Sequence, residues 1–299
     1  MSGAWWAVVA GVGFGIFQTL NRRAVSGMDV YVATFAQLLI SALVLAGASM
    51  ATEDVSLLLT APPIALVNFA LAGFIHFFVG WTFLNASQKR IGAARTSPLI
   101  GTTPLFAAVI AALALREVPG LLAVAGIGLV VGGVYLVSSA SNSSGAGNLQ
   151  IVDTGWRGSV LGLSAAFCWA LSPIFIRAGL EALPSPLLGV TVGIVASAAA
   201  YGFVIAWQRK RWAGNPIAGE AWLFKSIAAI LVGLSTWVRW IALDLAPVAV
   251  VLAVTMVSVP TVMLLTPFIS SKQPEIVTAR LWLGAALIVG GALVLIWYG

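Results

Sequence analysis

The chain has 299 residues, of which 61% are hydrophobic and only 8% charged, and its mean hydropathy is +1.05. Average soluble domains carry about 25% charged residues, and a water-soluble globule of this length could not hide so much apolar surface, so lipid must solvate much of the chain. The formal charge of +6 does not point to nucleic acid, because the basic residues sit at the ends of apolar runs rather than in one patch with interleaved aromatics.

A bilayer core asks for roughly 20 apolar residues per helix. The first such run is Ala4–Leu20. It has no basic segment before it and no clear A-x-A exit, so it is expected to be a retained first helix rather than a signal peptide. Val30–Met50 follows NRRAVSGMD, Pro63–Ala86 follows ATEDVS, Thr96–Leu115 follows SQKRIGAAR, and Leu121–Ser138 follows REVPG. The stretch SSASNSSGAGNLQIVDTG, Ser138 to Gly155, has the Ser/Gly/Asn composition of a flexible linker. Five more runs cover Gly158–Ala178, Pro186–Trp207, Ala221–Leu243, Val248–Ile269 and Ala279–Trp297. The expected fold is an all-α integral membrane protein of ten transmembrane helices, with halves 1–138 and 156–299 joined by the linker 139–155.

Of the 15 Lys and Arg residues, Arg116, Arg177 and Arg239 fall on one side of these spans. The rest (Arg22, Arg23, Lys89, Arg90, Arg95, Arg157, Arg209, Lys210, Arg211, Lys225, Lys272 and Arg280) fall on the other. The positive-inside rule makes the larger group cytoplasmic and puts both termini outside a cell (inner) membrane, on its periplasmic side. Asn142-Ser-Ser matches a glycosylation acceptor but falls in the cytoplasm on this reading, and is discounted.

The halves echo each other. Trp81, Ala86 and Pro104 match Trp237, Ala242 and Pro260 at an offset of 156, Gly126, Gly132 and Gly133 match Gly284, Gly290 and Gly291 at 158, and Arg22 matches Arg177 at 155. Five spans is an odd number, so the second copy enters the membrane from the opposite face. Two copies of inverted topology give two near-equivalent arrangements, each open to one side, with a site near the midplane between them. Duplicated bundles also serve as scaffolds or enzymes.

The segment Trp81–Glu117, WTFLNASQKRIGAARTSPLIGTTPLFAAVIAALALRE, resembles the drug/metabolite transporter superfamily and its EamA-type repeat. The features that carry the resemblance are Trp81, Ala86, a Pro (Pro104) within the following small-residue helix, and the closing Glu117, followed by the glycine-rich helix of Gly126, Gly132 and Gly133. The second copy keeps all but the Glu, which is replaced by Gln273 with Glu275 nearby. The aromatic content is similar to that of amino-acid exporters of the YddG type. The resemblance implies a basket of ten helices whose first, third and fourth members in each half line a central cavity, with each fifth helix at the periphery or at a dimer contact, in a monomer or weak dimer.

His76 is the only histidine and lies mid-span in GFIHFFVGW, where Phe69, Gly73, His76, Phe77 and Gly80 share a face. It reads either as a core histidine bonded to a neighbouring helix or as a cavity lining. Phe14, Trp81, Trp169 and Trp237 are deep aromatics suited to stacking solutes or to packing, whereas Trp5, Trp6, Trp207, Trp212 and Trp297 fit interface anchors. Gln18, Asn68, Thr102, Thr103, Ser172, Thr255 and Ser258 add neutral polar groups, the hydroxyls being suited either to a solute or to bonding back within their own helices. Arg239, about two turns inside its span, could snorkel outward, pair with Asp244, or receive a substrate carboxylate. Pro98, Pro104, Pro173, Pro260 and Pro267 fall where they could kink helices, and Gly128-xxx-Gly132 suits close helix contact, with Ala286-xxx-Gly290 as its partial echo.

Cys168, the single cysteine, excludes an internal disulfide and a CxxC cluster and reads as a small packing residue. No HExxH or GxxxxGK[ST] occurs, so an enzyme, a metal and a cofactor are not expected. The function expected is export of small organic solutes, foremost amino acids with large or aromatic side chains, moved down a gradient because the deep spans hold no Asp or Glu. Carriage of phosphorylated or nucleotide-linked metabolites and a sensor or scaffold role remain the alternatives.

Overall fold

The computed structural model of the chain describes residues 2–25, 28–91, 99–143, 156–207, 219–269 and 279–298. Most of these residues are helical and none is in a strand. In lipid, where no water pairs with backbone N–H and C=O groups, a helix is the structure that satisfies them within one segment.

The first half comprises α1 (Gly3–Val25), α2 (Val30–Thr52), α3 (residues 63–91), α4 (Thr103–Ala114) and α5 (Leu121–Ser143), with a one-turn helix Leu57–Thr60 before α3. The second half comprises α6 (Trp156–Ala182), α7 (Pro186–Trp207), α8 (Gly219–Leu245), α9 (residues 248–269) and α10 (Ala279–Tyr298). Among the described residues, six stretches are long and apolar enough to cross a membrane: Gly3–Asn21, Tyr31–Thr52, Pro63–Leu84, Trp156–Ala182, Pro186–Trp207 and Gly219–Leu245. Thr103–Ala114, Leu121–Val137, Val248–Val262 and Trp282–Tyr298 are shorter apolar helices. Of the expected linker 139–155, residues 139–143 instead continue the helix α5, and 144–155 lie outside the described residues, as do Pro98, Trp212, Gln273 and Glu275.

Three helices are irregular. α3 is α-helical over Pro63–Gly73 and Trp81–Ile91, with a π-helical turn Phe74–Gly80 between. α9 runs Val248–Val254, tightens to a 3-10 turn at Thr255–Val257, and resumes as Ser258–Ile269. α4 is preceded by a turn at Gly101 and Thr102, which lie 156 residues before Val257 and Ser258, so the two interruptions correspond. Pro104 is therefore not the mid-helix kink expected of it. It stands in the first turn of α4, where a missing N–H leaves no intrahelical bond unmade. Pro173 does sit inside α6.

The helices pack in pairs that are preserved when each is exchanged for its counterpart five places on. α1 packs on α8 as α3 packs on α6, α1 on α9 as α6 on α4, and α2 on α8 as α7 on α3, while α2–α7, α4–α9 and α5–α10 map onto themselves. The α5–α10 pair shows the logic at atomic scale. A Cβ added at Gly133 would stand 2.6 Å from the Gly284 carbonyl oxygen, and one at Gly291 would stand 2.6 Å from that of Gly126. Gly126 thus opposes Gly291 and Gly133 opposes Gly284, so the two helices run antiparallel with their backbones touching. The contact does not use the Gly128-xxx-Gly132 face. Nothing lies within 4 Å of a Cβ built at Gly128, Gly132 or Gly290, because these glycines point away from the partner helix.

Polar ties join the two halves of the chain at both ends of the bundle. At one end Arg116, with φ 57°, ends α4. The next residue, Glu117, pairs with Arg177 of α6 at 2.9 Å and accepts the Val248 N–H at 2.9 Å, so its carboxylate sits at the N-terminus of α9, where a negative charge is favoured. The Arg177 guanidinium also donates to the Ala246 carbonyl at 2.6 Å. At the other end Arg23 of α1 pairs with Glu220 of α8. Nearby, Lys225 departs from its expected place on a cytoplasmic flank. It is 1% exposed, because α8 begins at Gly219 and leaves the lysine nearly two turns inside, facing α1 and α2. There its ammonium donates to Asn21 Oδ1 at 2.7 Å and Gln37 Oε1 at 2.5 Å, amide oxygens that replace water around the charge.

Gly133→Ala is expected to force α5 and α10 apart and to cost about 1–3 kcal/mol, read as a lower melting temperature in detergent. Gly132→Ala, one residue away and facing open space, should not lower stability and is expected to raise it by up to about 1 kcal/mol, the helix preference of Ala over Gly.

Candidate functional site

The face of GFIHFFVGW that periodicity picked out is the buried face of α3: Phe69, Gly73, His76, Phe77 and Gly80 are all buried. Its glycines permit close approach on two sides. Gly73 meets the backbone of Gly193 in α7, and a Cβ at Gly80 would stand 2.7 Å from the indole nitrogen of Trp169 in α6. The indole therefore reaches into the π-helical turn, where Trp169 Nε1–H donates to the His76 carbonyl at 3.1 Å. Its ring stacks on the imidazole, with centroids 5.7 Å apart and planes at 25°.

Both imidazole nitrogens are engaged. Arg239 Nη2, from α8, lies 2.9 Å from His76 Nε2, and Ser172 Oγ, from α6, lies 2.9 Å from Nδ1. A guanidinium only donates, so Nε2 must offer its lone pair. The ring is then neutral, its proton sits on Nδ1, and Nδ1–H donates to Ser172 Oγ. The Ser172 hydroxyl can pass the sequence on to the Trp169 carbonyl at 3.4 Å. The guanidinium also lies over the Phe14 ring of α1 at 5.2 Å. One polar node thus joins α1 and α3 of the first half to α6 and α8 of the second.

The two routes that local sequence offered Arg239 are not taken. It does not snorkel, being only 9% exposed, and Asp244, on the exposed side of α8, does not pair with it. The bond to His76 spans 163 positions of sequence, and local spacing gave no sign of it. The Arg239 Nε–H is buried with no acceptor among the described residues.

The other residues singled out from sequence fall into two groups. Phe77 packs edge-on against His76 and Trp81, and Trp81 stacks on Phe17 of α1 with planes at 13°, a partner the sequence did not suggest. These rings continue the node into an aromatic wall. Trp237 is partly buried against the apolar core. The Thr102 and Thr103 hydroxyls donate to the carbonyls of Leu99 and Ile100, just before α4, each at 2.6 Å, and Thr255 donates to Leu252 within α9 at 2.9 Å. Thr255 and Ser258 are buried at the α9 interruption, against Gly11 and Gly15 of α1. Gln18 is exposed. Two apolar crevices open elsewhere. One, of about 370 Å³, lies beside Phe83, Phe106 and Phe167, and one of about 180 Å³ lies beside Tyr31, Phe78 and Tyr201. Neither is lined by any residue of the node.

Helical spans of this length and apolarity around a buried polar node define a multi-pass membrane protein. Residues 1–139 match the EamA-like transporter family. No curated protein matches the sequence. A crystal structure of another protein is similar over 98% of this chain and 99% of its own, with a TM-score of 0.74 at 18% identity, a likeness of fold alone.

Ser172→Ala removes the acceptor of the imidazole N–H. Thermal unfolding is expected to register a loss of about 1–3 kcal/mol from the buried unsatisfied donor. In a His76→Ala background the same substitution should cost much less, because the interaction it breaks is already gone.

Proposed function

We propose that the protein exports small organic solutes, foremost amino acids with large or aromatic side chains, by alternating access of two inverted five-helix repeats, 1–138 and 156–299, joined by the linker 139–155. The observation that carries this reading is the buried node itself: His76 of one half is bonded to Arg239 and Ser172 of the other, within a bundle whose α4 and α9 are interrupted at corresponding positions. Interrupted helices at matching places in two repeats point to the binding site of a secondary transporter. The symmetric exchange of helix pairs and the antiparallel glycine contact of α5 with α10 support the inverted repeat. The family matched by residues 1–139 supports transport.

The aromatic wall of Phe14, Phe77, Trp81 and Trp169 suits large or aromatic side chains. Gln18, Thr102, Trp237, Thr255 and Ser258 belong to the same proposed cavity once the repeats separate. No carboxylate joins the node among the described residues, so movement down a gradient is the simplest mode. The basic flanks favour a cell (inner) membrane with both termini outside, and the protein works as a monomer or weak dimer with no partner beyond solute and lipid. Arg239 also favours a second reading, a phosphorylated metabolite as cargo. One guanidinium matches a single carboxylate better than a phosphate dianion, which usually draws several cations.

Purified protein in liposomes should pass tryptophan, phenylalanine and methionine down a gradient without chemical change. Flux of a phosphorylated metabolite, with none of these three moving, selects the second reading. Trp169→Ala and His76→Ala are each expected to alter flux or selectivity by roughly tenfold, the scale of one good polar or stacking contact. Unchanged kinetics in both folded variants would return these side chains to packing alone.

A further inference from the structure

The Arg239–His76 hydrogen bond has an unusual composition for a buried contact. One partner is a cation with no carboxylate beside it among the described residues, and the other offers a lone pair on a neutral ring. The guanidinium carries two donors on one edge, Nε–H and Nη2–H. The first is buried without an acceptor and the second rests on His76 Nε2. That edge is the fork that binds a carboxylate with two parallel hydrogen bonds. The side chain is 9% exposed and the imidazole 6%, so neither has much water beside this bond, the Ser172 hydroxyl on Nδ1 and the Phe14 ring under the guanidinium. A buried cation with half its fork unused is costly unless something completes it.

We propose that the zwitterion of an α-amino acid inserts into the Arg239–His76 bond. The substrate carboxylate takes the Nε–Nη2 edge of Arg239, and the substrate ammonium donates to the Nε2 lone pair of His76 that the guanidinium has released. Both donors of the Arg239 fork then meet carboxylate oxygens, and one ammonium N–H meets the imidazole lone pair: cation to anion on one side, ammonium to imidazole on the other. His76 keeps its Nδ1–H bond to Ser172 and so keeps its lone pair aimed at the ligand. In the empty closed state the imidazole stands in for the carboxylate, which holds the node together between turnovers. Trp169, stacked on the imidazole, and Phe77, edge-on to it, place apolar rings beside the point of insertion, where the substrate side chain goes. The inference rests on the amino-acid reading above and adds the atoms that recognise the backbone of the substrate.

The test uses the full chain in detergent and in liposomes with three probes: tryptophan, tryptophanamide, which lacks the carboxylate, and indole-3-propionate, which lacks the ammonium. Unmodified protein should bind tryptophan roughly ten- to a hundredfold tighter than either analogue, the range for one lost charge-assisted contact. In Arg239→Gln the preference over tryptophanamide should vanish, and in His76→Ala the preference over indole-3-propionate should vanish. Each variant should leave the other preference in place. Because the comparison among probes is made first on unmodified protein, it stands even where a variant folds poorly, and Arg239→Lys then keeps the charge while losing the fork. Equal binding of all three probes overturns the insertion and leaves the amino-acid reading standing. Preferences that persist in both variants also overturn it, because the zwitterion is then read elsewhere. Binding with the expected preferences but no flux supports the insertion and refutes transport of these solutes. Failure of every probe to bind refutes both.

Discussion

A guanidinium buried among membrane helices must be held by lone pairs and dipoles, because no solvent is there to hold it. Arg239 meets this constraint with the lone pair of the only imidazole in the chain and the face of the Phe14 ring. Other features of the site follow. The imidazole must be neutral with its proton on Nδ1, so Ser172 must lie within reach of that proton. His76 must be held in one orientation, which the stacked Trp169 provides. Trp169 reaches its own acceptor, the His76 carbonyl, because Gly80 has no side chain and α3 widens to a π-helical turn there. π-turns recur at functional sites because they free backbone groups that a regular helix would use internally.

The node lies between two sets of end ties. Glu117, Arg177 and the α8–α9 turn close one end, and Arg23, Glu220 and the buried Lys225 close the other. Both sets join the first half of the chain to the second. The alternating access proposed above would break one set while keeping the other, with the middle of the molecule as its pivot. The contacts suit that role. The ends are held by ion pairs and amide oxygens, which water can replace, whereas α5 and α10 are held by glycine backbones in direct contact, which have no such substitute. The interruptions of α4 and α9 fall near the pivot, where small changes in backbone angle swing the longest lever.

Much of the fold was legible because the physics behind it is local. Apolar runs long enough for a bilayer gave the helices, and Pro186–Trp207 and Val248–Ile269 have the expected ends. The buried face of GFIHFFVGW followed from helical periodicity alone. The harder features depend on partners distant in sequence. Asp244 lies five positions from Arg239 and His76 lies 163 away, so local reasoning favoured the wrong neighbour. Lys225 looked like a flank because basic residues usually end spans; what buries it is the pair of amide oxygens on α1 and α2. The GxxxG pattern drew attention to Gly128 and Gly132, whereas the contact uses Gly126 and Gly133, seven apart, because α5 meets an antiparallel partner along that line. Pro104 reads as a kink when the apolar run is taken as one helix, although Gly101, Thr102 and Thr103 before it are residues that mark a helix start.

Because the chain holds a single histidine, nitrogen-15 labelling of histidine gives one imidazole to observe, with no assignment to make. Solid-state or solution NMR of the protein in lipid at neutral pH should show a neutral ring, with a protonated Nδ1 and an unprotonated Nε2 shifted by the bond from Arg239. An imidazolium signal, or a ring protonated on Nε2, would contradict the arrangement on which the node is built.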